Sequence, residues 1–129
     1  MASTWEPRPD RPEAGPFVHI GLNQERERLE TEPAWRDGDR NAITLTKRTG
    51  LRLVLTALRQ GAMLREHRAP TAATLHVLSG RMAMRLGERQ IELGPGDLVT
   101  MEAELVHAGQ ALSDTAFLLT LVEAGFSAT

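Results

Sequence analysis

The chain has 129 residues, 41% hydrophobic and 25% charged, with a formal net charge of -2 and no cysteine. Those proportions suit one soluble globular domain that buries roughly two-thirds of its unfolded surface. They exclude disulfide staples, thiolate catalysis and zinc–thiolate sites, and they offer neither a basic nucleic-acid-binding face nor a polybasic membrane patch.

Residues 1–20 read as an extended or disordered tail, because Pro7, Pro9, Pro12 and Pro16 alternate with charged residues and leave no helical register. The tail lacks the apolar stretch of a secretory signal, and no apolar run in the chain approaches the roughly 20 residues that span a bilayer. The expectation is a cytoplasmic protein with no membrane partner. Residues 21–41 read as a short surface helix and a loop. Asn23 is the expected N-cap, Arg26–Glu30 and Arg28–Glu32 have the i,i+4 spacing of ion pairs, and Leu22 and Leu29 lie one heptad apart. Pro33 should stop the helix, and the Asp37-Gly38-Asp39 turn predicts a loop in which Trp35 plugs one end of the core.

From residue 42 to 123 the texture changes to short strands broken by glycine turns. ITLTKR, LRLVLTALR, TLHVL, RMAMRL, RQIEL, DLVTM, VHAGQAL and TAFLLTLVE follow one another, with Thr49-Gly50, Ser79-Gly80, Gly87 and Gly94-Pro95-Gly96 among the breaks. Strands of this length and spacing predict an all-β barrel or sandwich. Residues 124–129 are a C-terminal tail. In TLHVL, counting by two places Leu75 and Val77 on one face and Thr74, His76 and Leu78 on the other. His76 then reads as a packing or subunit-interface histidine, and His19 as exposed. The arginines at 52, 59, 65, 68, 81, 85 and 89 are scattered over several strands and read as solvated charge.

Two spaced motifs carry more. From Gly61 to Gly80 the pattern G-x5-H-x-H-x3-E-x6-G finds its glycines and His67, with Ala69 at the second histidine position and Ala73 at the glutamate. From Gly96 the pattern G-x5-P-x-G-x2-H-x3-N finds His107, with Glu102, Glu104 and Ala111 at the proline, glycine and asparagine positions. On these motifs the chain resembles the cupin family. The resemblance implies a double-stranded β-helix, or jelly-roll, barrel, often homodimeric, which the short N-terminal helix read from the residues above would precede. Many such barrels hold a divalent metal through three histidines and a glutamate, a set that fixes an octahedral ion with open positions.

Carried over residue by residue, that set keeps His67 and His107 and loses its donors at Ala69 and Ala73. Two imidazoles are a poor site, since catalytic metals generally take three protein ligands. The expectation is no metal cofactor. Glu66 adjoins His67 and should face the opposite way, while Glu102 and Glu104 sit in a rim loop. His67 and His107 are then either remnants bonded to each other, water or backbone, or ligand-binding residues that orient a small molecule or act as acid and base. Met63, Met82, Met84 and Met101 are expected to fill the space that the two alanines leave. The function so implied is metal-free binding or sensing of a small molecule in the barrel pocket, with no catalytic residue assigned. The alternatives are a metal-dependent enzyme of dioxygenase or isomerase type using His67, His107 and a substitute carboxylate, and a purely structural homodimer.

Overall fold

The structure is a computed structural model that describes residues 16–122. Most of the expected 1–20 tail and the whole of the 124–129 tail lie outside the described residues. Over the described residues the order is α1 (Leu22–Leu29), α2 (Pro33–Asp37), then β1 (Arg40–Arg48), β2 (Leu51–Leu58), β3 (Met63–His67), β4 (Ala73–Ser79), β5 (Met82–Leu86), β6 (Arg89–Leu93), β7 (Leu98–Met101), β8 (His107–Ala111) and β9 (Thr115–Val122). The strands form two antiparallel sheets, ordered β1-β2-β9-β4-β7 and β3-β8-β5-β6. Apart from the β1–β2 and β5–β6 hairpins, successive strands switch between the sheets, so the two halves of the chain interleave as the all-β jelly-roll expectation requires. No helix among the described residues is long and apolar enough to cross a membrane.

The helical segment differs from expectation in two ways. The first helix is capped by Gly21 rather than Asn23, with no side-chain cap bond. The stretch after Pro33 is a second short helix instead of a loop, with the proline in its first turn. Proline's fixed φ suits a helix start, and its missing N–H is not needed there, so the residue that ends one helix begins the next. Arg28 pairs with Glu32 at 3.8 Å and also with Glu25 at 3.8 Å. Buried Asn41 ties this layer to the sheet by donating to the Leu29 carbonyl and the Glu32 carboxylate, both at 2.9 Å.

Sequence reading also passes over β3, because its residues are polar and largely exposed. Its place at a sheet edge explains that, since it pairs only with β8 and a bulge interrupts the register between Leu64 and His67. The hairpin expected around Gly87 is present, with Leu86 opposite Arg89. Ser79-Gly80 instead carries the chain from one sheet to the other.

Two apolar clusters hold the fold. One fills the barrel and includes Leu58, Leu75, Val77, Met82, Met84 and Phe117. The other lies on the outside of β1 and β2, where Ile43, Leu45, Leu55 and Ala57 pack under Leu29 and Trp35 of the helices. Each fully buried leucine here contributes about 1.5–3 kcal/mol. Trp35 therefore closes the outer cluster rather than an end of the barrel, and the Arg59 guanidinium lies 4.4 Å over its ring. Because the outer face of β2 takes Leu53 and Leu55, the alternating residues Arg52, Val54 and Thr56 face the barrel interior.

Candidate functional site

The fold brings the two motif histidines together. They are direct cross-strand partners on β3 and β8, with ring centroids 4.6 Å apart in an edge-on arrangement. His67 Nδ1 lies 3.1 Å from His107 Nε2, and His107 Nδ1 lies 2.9 Å from the Leu105 carbonyl. A carbonyl oxygen only accepts, so His107 Nδ1 carries a proton. In that tautomer His107 Nε2 is a lone pair, which accepts from the N–H at His67 Nδ1. The chain of bonds leaves His67 Nε2 as an acceptor with no partner among the described residues.

This pair borders a cavity of about 1210 Å³. Its apolar lining comes from Leu75, Met84, Met101, Phe117 and Leu119, and its rim carries Arg40, Arg65, Glu66 and Asp39. Two expectations change here. Met82, Met84 and Met101 are buried as core residues, but Met63 is 59% exposed on the edge strand and borders the cavity rather than filling it. The methionines pad the wall instead of crossing the barrel, so a cavity remains. Glu66, expected to face away, reaches the cavity rim because the β3 bulge breaks the strict alternation of sides. It is bonded there to Arg85 of β5.

The residues present do not fit a resident metal ion. Ala73 lies 6% exposed where the carboxylate donor would stand. Ala69 offers only its backbone carbonyl, which accepts from the Glu104 amide at 2.7 Å. Among the described residues no three His, Asp or Glu side chains are grouped to hold an ion, and the lone pair of His107 Nε2 is spent on His67. Glu102 and Glu104 are exposed.

The loop that presents the Leu105 carbonyl is strained. Glu104 has φ 68°, a left-handed conformation that side chains disfavour, and it occupies the motif position where glycine is expected. Replacing Glu104 with Gly should stabilise the protein by about 0.5–1 kcal/mol, the left-handed penalty less the added freedom of the unfolded glycine. Urea titration at constant slope measures it.

His76 lies on the outer face of its sheet. Leu75 and Val77 point into the barrel cluster, Leu78 packs on the outer one, and His76 stands in register with Leu98 and Leu118. His19 is exposed. Neither reaches the cavity. Sequence reading missed the inward position of Arg52. The signal for it was the alternation of three leucines with Arg52, Val54 and Thr56, which does not by itself say which set a second apolar layer will cover.

Comparison with known proteins agrees with the architecture. No curated protein matches the chain significantly. Among solved structures, a conserved protein of unknown function from Streptococcus pyogenes is 20% identical, covering 95% of this chain and 99% of that one, with a TM-score of 0.68. A cupin superfamily protein from Desulfitobacterium hafniense is 17% identical over 64% of this chain and 76% of that one, with a TM-score of 0.62. A salicylate 1,2-dioxygenase variant from Pseudoaminobacter salicylatoxidans is 14% identical over 80% of this chain and 34% of that one, with a TM-score of 0.72. These likenesses show the fold. The sequence profile of the cupin domain matches residues 54–123, more than half of the chain, and takes in both motif histidines, most of β2 and the seven strands after it: the chain belongs to the cupin family.

Proposed function

We propose that this cupin binds a small, partly apolar molecule in the barrel without a metal ion. The observation that carries this is the mutual hydrogen bond of His67 and His107 at the side of an open, apolar-lined cavity. In a metal-dependent cupin both rings would present lone pairs to one ion. Here one ring's lone pair is satisfied by the other's proton, and the positions of the missing donors are methyl groups. The free acceptor at His67 Nε2 gives the pocket one directional contact, suited to a hydroxyl or amide donor on the ligand. The apolar wall supplies most of the affinity.

Protein purified without a histidine tag should carry well under one equivalent of iron, manganese, zinc or nickel by elemental analysis. Stoichiometric metal would overturn the proposal and restore the oxygenase or isomerase alternative. A ligand bound at a hundred times its dissociation constant adds about 2.7 kcal/mol of stability, which a thermal-shift screen of metabolites detects.

A further inference from the structure

We propose that the ligand is an anion, a carboxylate on an apolar body, and that Arg52 and Lys47 are the residues that recognise its charge. The inference rests on the open-pocket reading above and adds the ligand's class to it. Its observations are separate from the histidine pair.

The five-stranded sheet presents successive rows of side chains to the barrel interior. One row runs Thr56, Phe117, Val77, and the next runs Val54, Leu119, Leu75, Val99. The third runs Lys47, Arg52, Leu121, Ala73, Met101. Cavity-lining residues occur in all three rows, Thr56 and Phe117 in the first, Leu75 and Leu119 in the second, and Met101 in the third. The third row is the one that lost its carboxylate at Ala73. Its other polar members are two cations, and they are direct cross-strand partners.

Like charges opposite each other on neighbouring strands are destabilising, and among the described residues no carboxylate offsets this pair. Arg52 makes one long contact, Nη2 to the Thr44 hydroxyl at 3.3 Å, while its Nε is buried with no partner. Among the described residues neither Lys47 nor Arg52 meets a carboxylate. A buried guanidinium donor without an acceptor costs free energy, and a ligand carboxylate would supply the acceptor. Two strand spacings, about 10 Å, separate the backbones of Arg52 and Ala73, so a ligand headgroup near the vacated carboxylate position lies towards the guanidinium.

The carboxylates of the rim are already engaged. Asp39 is engaged by Arg40 at 2.9 Å, and Glu66 by Arg85. Arg65 lines the cavity with no carboxylate partner among the described residues. The charged residues on the lining itself are two cations, Arg40 and Arg65, and two anions, Asp39 and Glu66. The unmatched cations, Arg52 and Lys47, stand outside that lining, in the row that also holds the lining residue Met101.

Two probes of one shape test this: 2-naphthoate and 2-naphthamide, titrated by their own fluorescence against the full chain. The expected result is binding of the naphthoate about tenfold or more tighter than the naphthamide. Arg52→Met should erase that preference, with naphthamide affinity within twofold of the unaltered protein. Lys47→Gln, at an exposed position that leaves the packing alone, should reduce the preference about threefold. Circular dichroism confirms that each variant is folded. If both probes bind and the preference is absent, or survives Arg52→Met, the anion inference is wrong while the open pocket stands. If neither probe binds the unaltered protein, the pocket itself is not a binding site and both readings fail.

Discussion

Changing Ala69 to His and Ala73 to Glu together should turn this protein into a metal binder that takes up about one divalent ion per chain, at least a hundredfold tighter than the unaltered protein. The two side chains complete a set whose other members are already neighbours, since His67 and His107 face each other across β3 and β8 with their rings 3.1 Å apart at the nearest nitrogens. Capture of the ion requires the hydrogen bond between the rings to break, so that both present lone pairs. That exchange costs about 1 kcal/mol, and four ligand bonds offset it many times over. Without the ion the new carboxylate at position 73 stands in a nearly solvent-free place, so the double variant should be less stable than the parent by about 1–3 kcal/mol. Manganese or iron(II) should restore its melting temperature and leave that of the parent unmoved. Calorimetric titration and melting curves with and without metal check both halves. A folded double variant that stays metal-free would show that His67 is not at liberty to turn.

The second large effect concerns the crossing between the sheets. Gly80→Ala should destabilise the protein by about 2–5 kcal/mol, combining the penalty for a left-handed side-chain residue with overpacking. Gly80 has φ 82°, and a methyl group there would lie 2.2 Å from the Asp114 carbonyl oxygen and 2.7 Å from the Thr115 Cα. Neither contact can swing aside. The Thr115 hydroxyl shares its one proton between the carbonyls of Ser113 at 2.8 Å and Arg81 at 3.0 Å, and the Arg81 amide donates to the Ser113 hydroxyl, which locks the two turns together. Gly61 provides the control. It too has a positive φ, 89°, but nothing lies within 4 Å of a built Cβ, so Gly61→Ala should cost only the conformational part, about 1–2 kcal/mol. Denaturant midpoints at unchanged slope distinguish the two. Equal costs would mean that the crossing relaxes.

Much of this was legible in the sequence because the informative residues are those with few alternatives. Glycines at 80, 87 and 96 all adopt positive φ, and the fixed spacing between such turns exposes the strand rhythm. The histidine pairing was readable as well, since two motif positions falling on adjacent strands admit contact. What stayed hidden depends on partners far away in the chain. The edge strand β3 has no apolar face to betray it. Arg52 looks like any surface arginine until the helices cover Leu53 and Leu55 from outside and turn it inward. Pro33 reads as a stop in one direction and a start in the other, and only the docking of Trp35 decides.

One further consequence comes from the side of the barrel where β1 and β3 are both edge strands. They are bridged by Arg40, which donates through Nη2 to the Met63 carbonyl at 2.8 Å, in place of a backbone ladder. A visitor crossing there needs a rotamer change of half-buried Arg40, with its bonds to Met63 and Asp39 released, and side-chain rearrangements of this kind are faster than the collective motions of strands. Entry by this route would be limited by diffusion and fit, with no cooperative melting of strands to wait for.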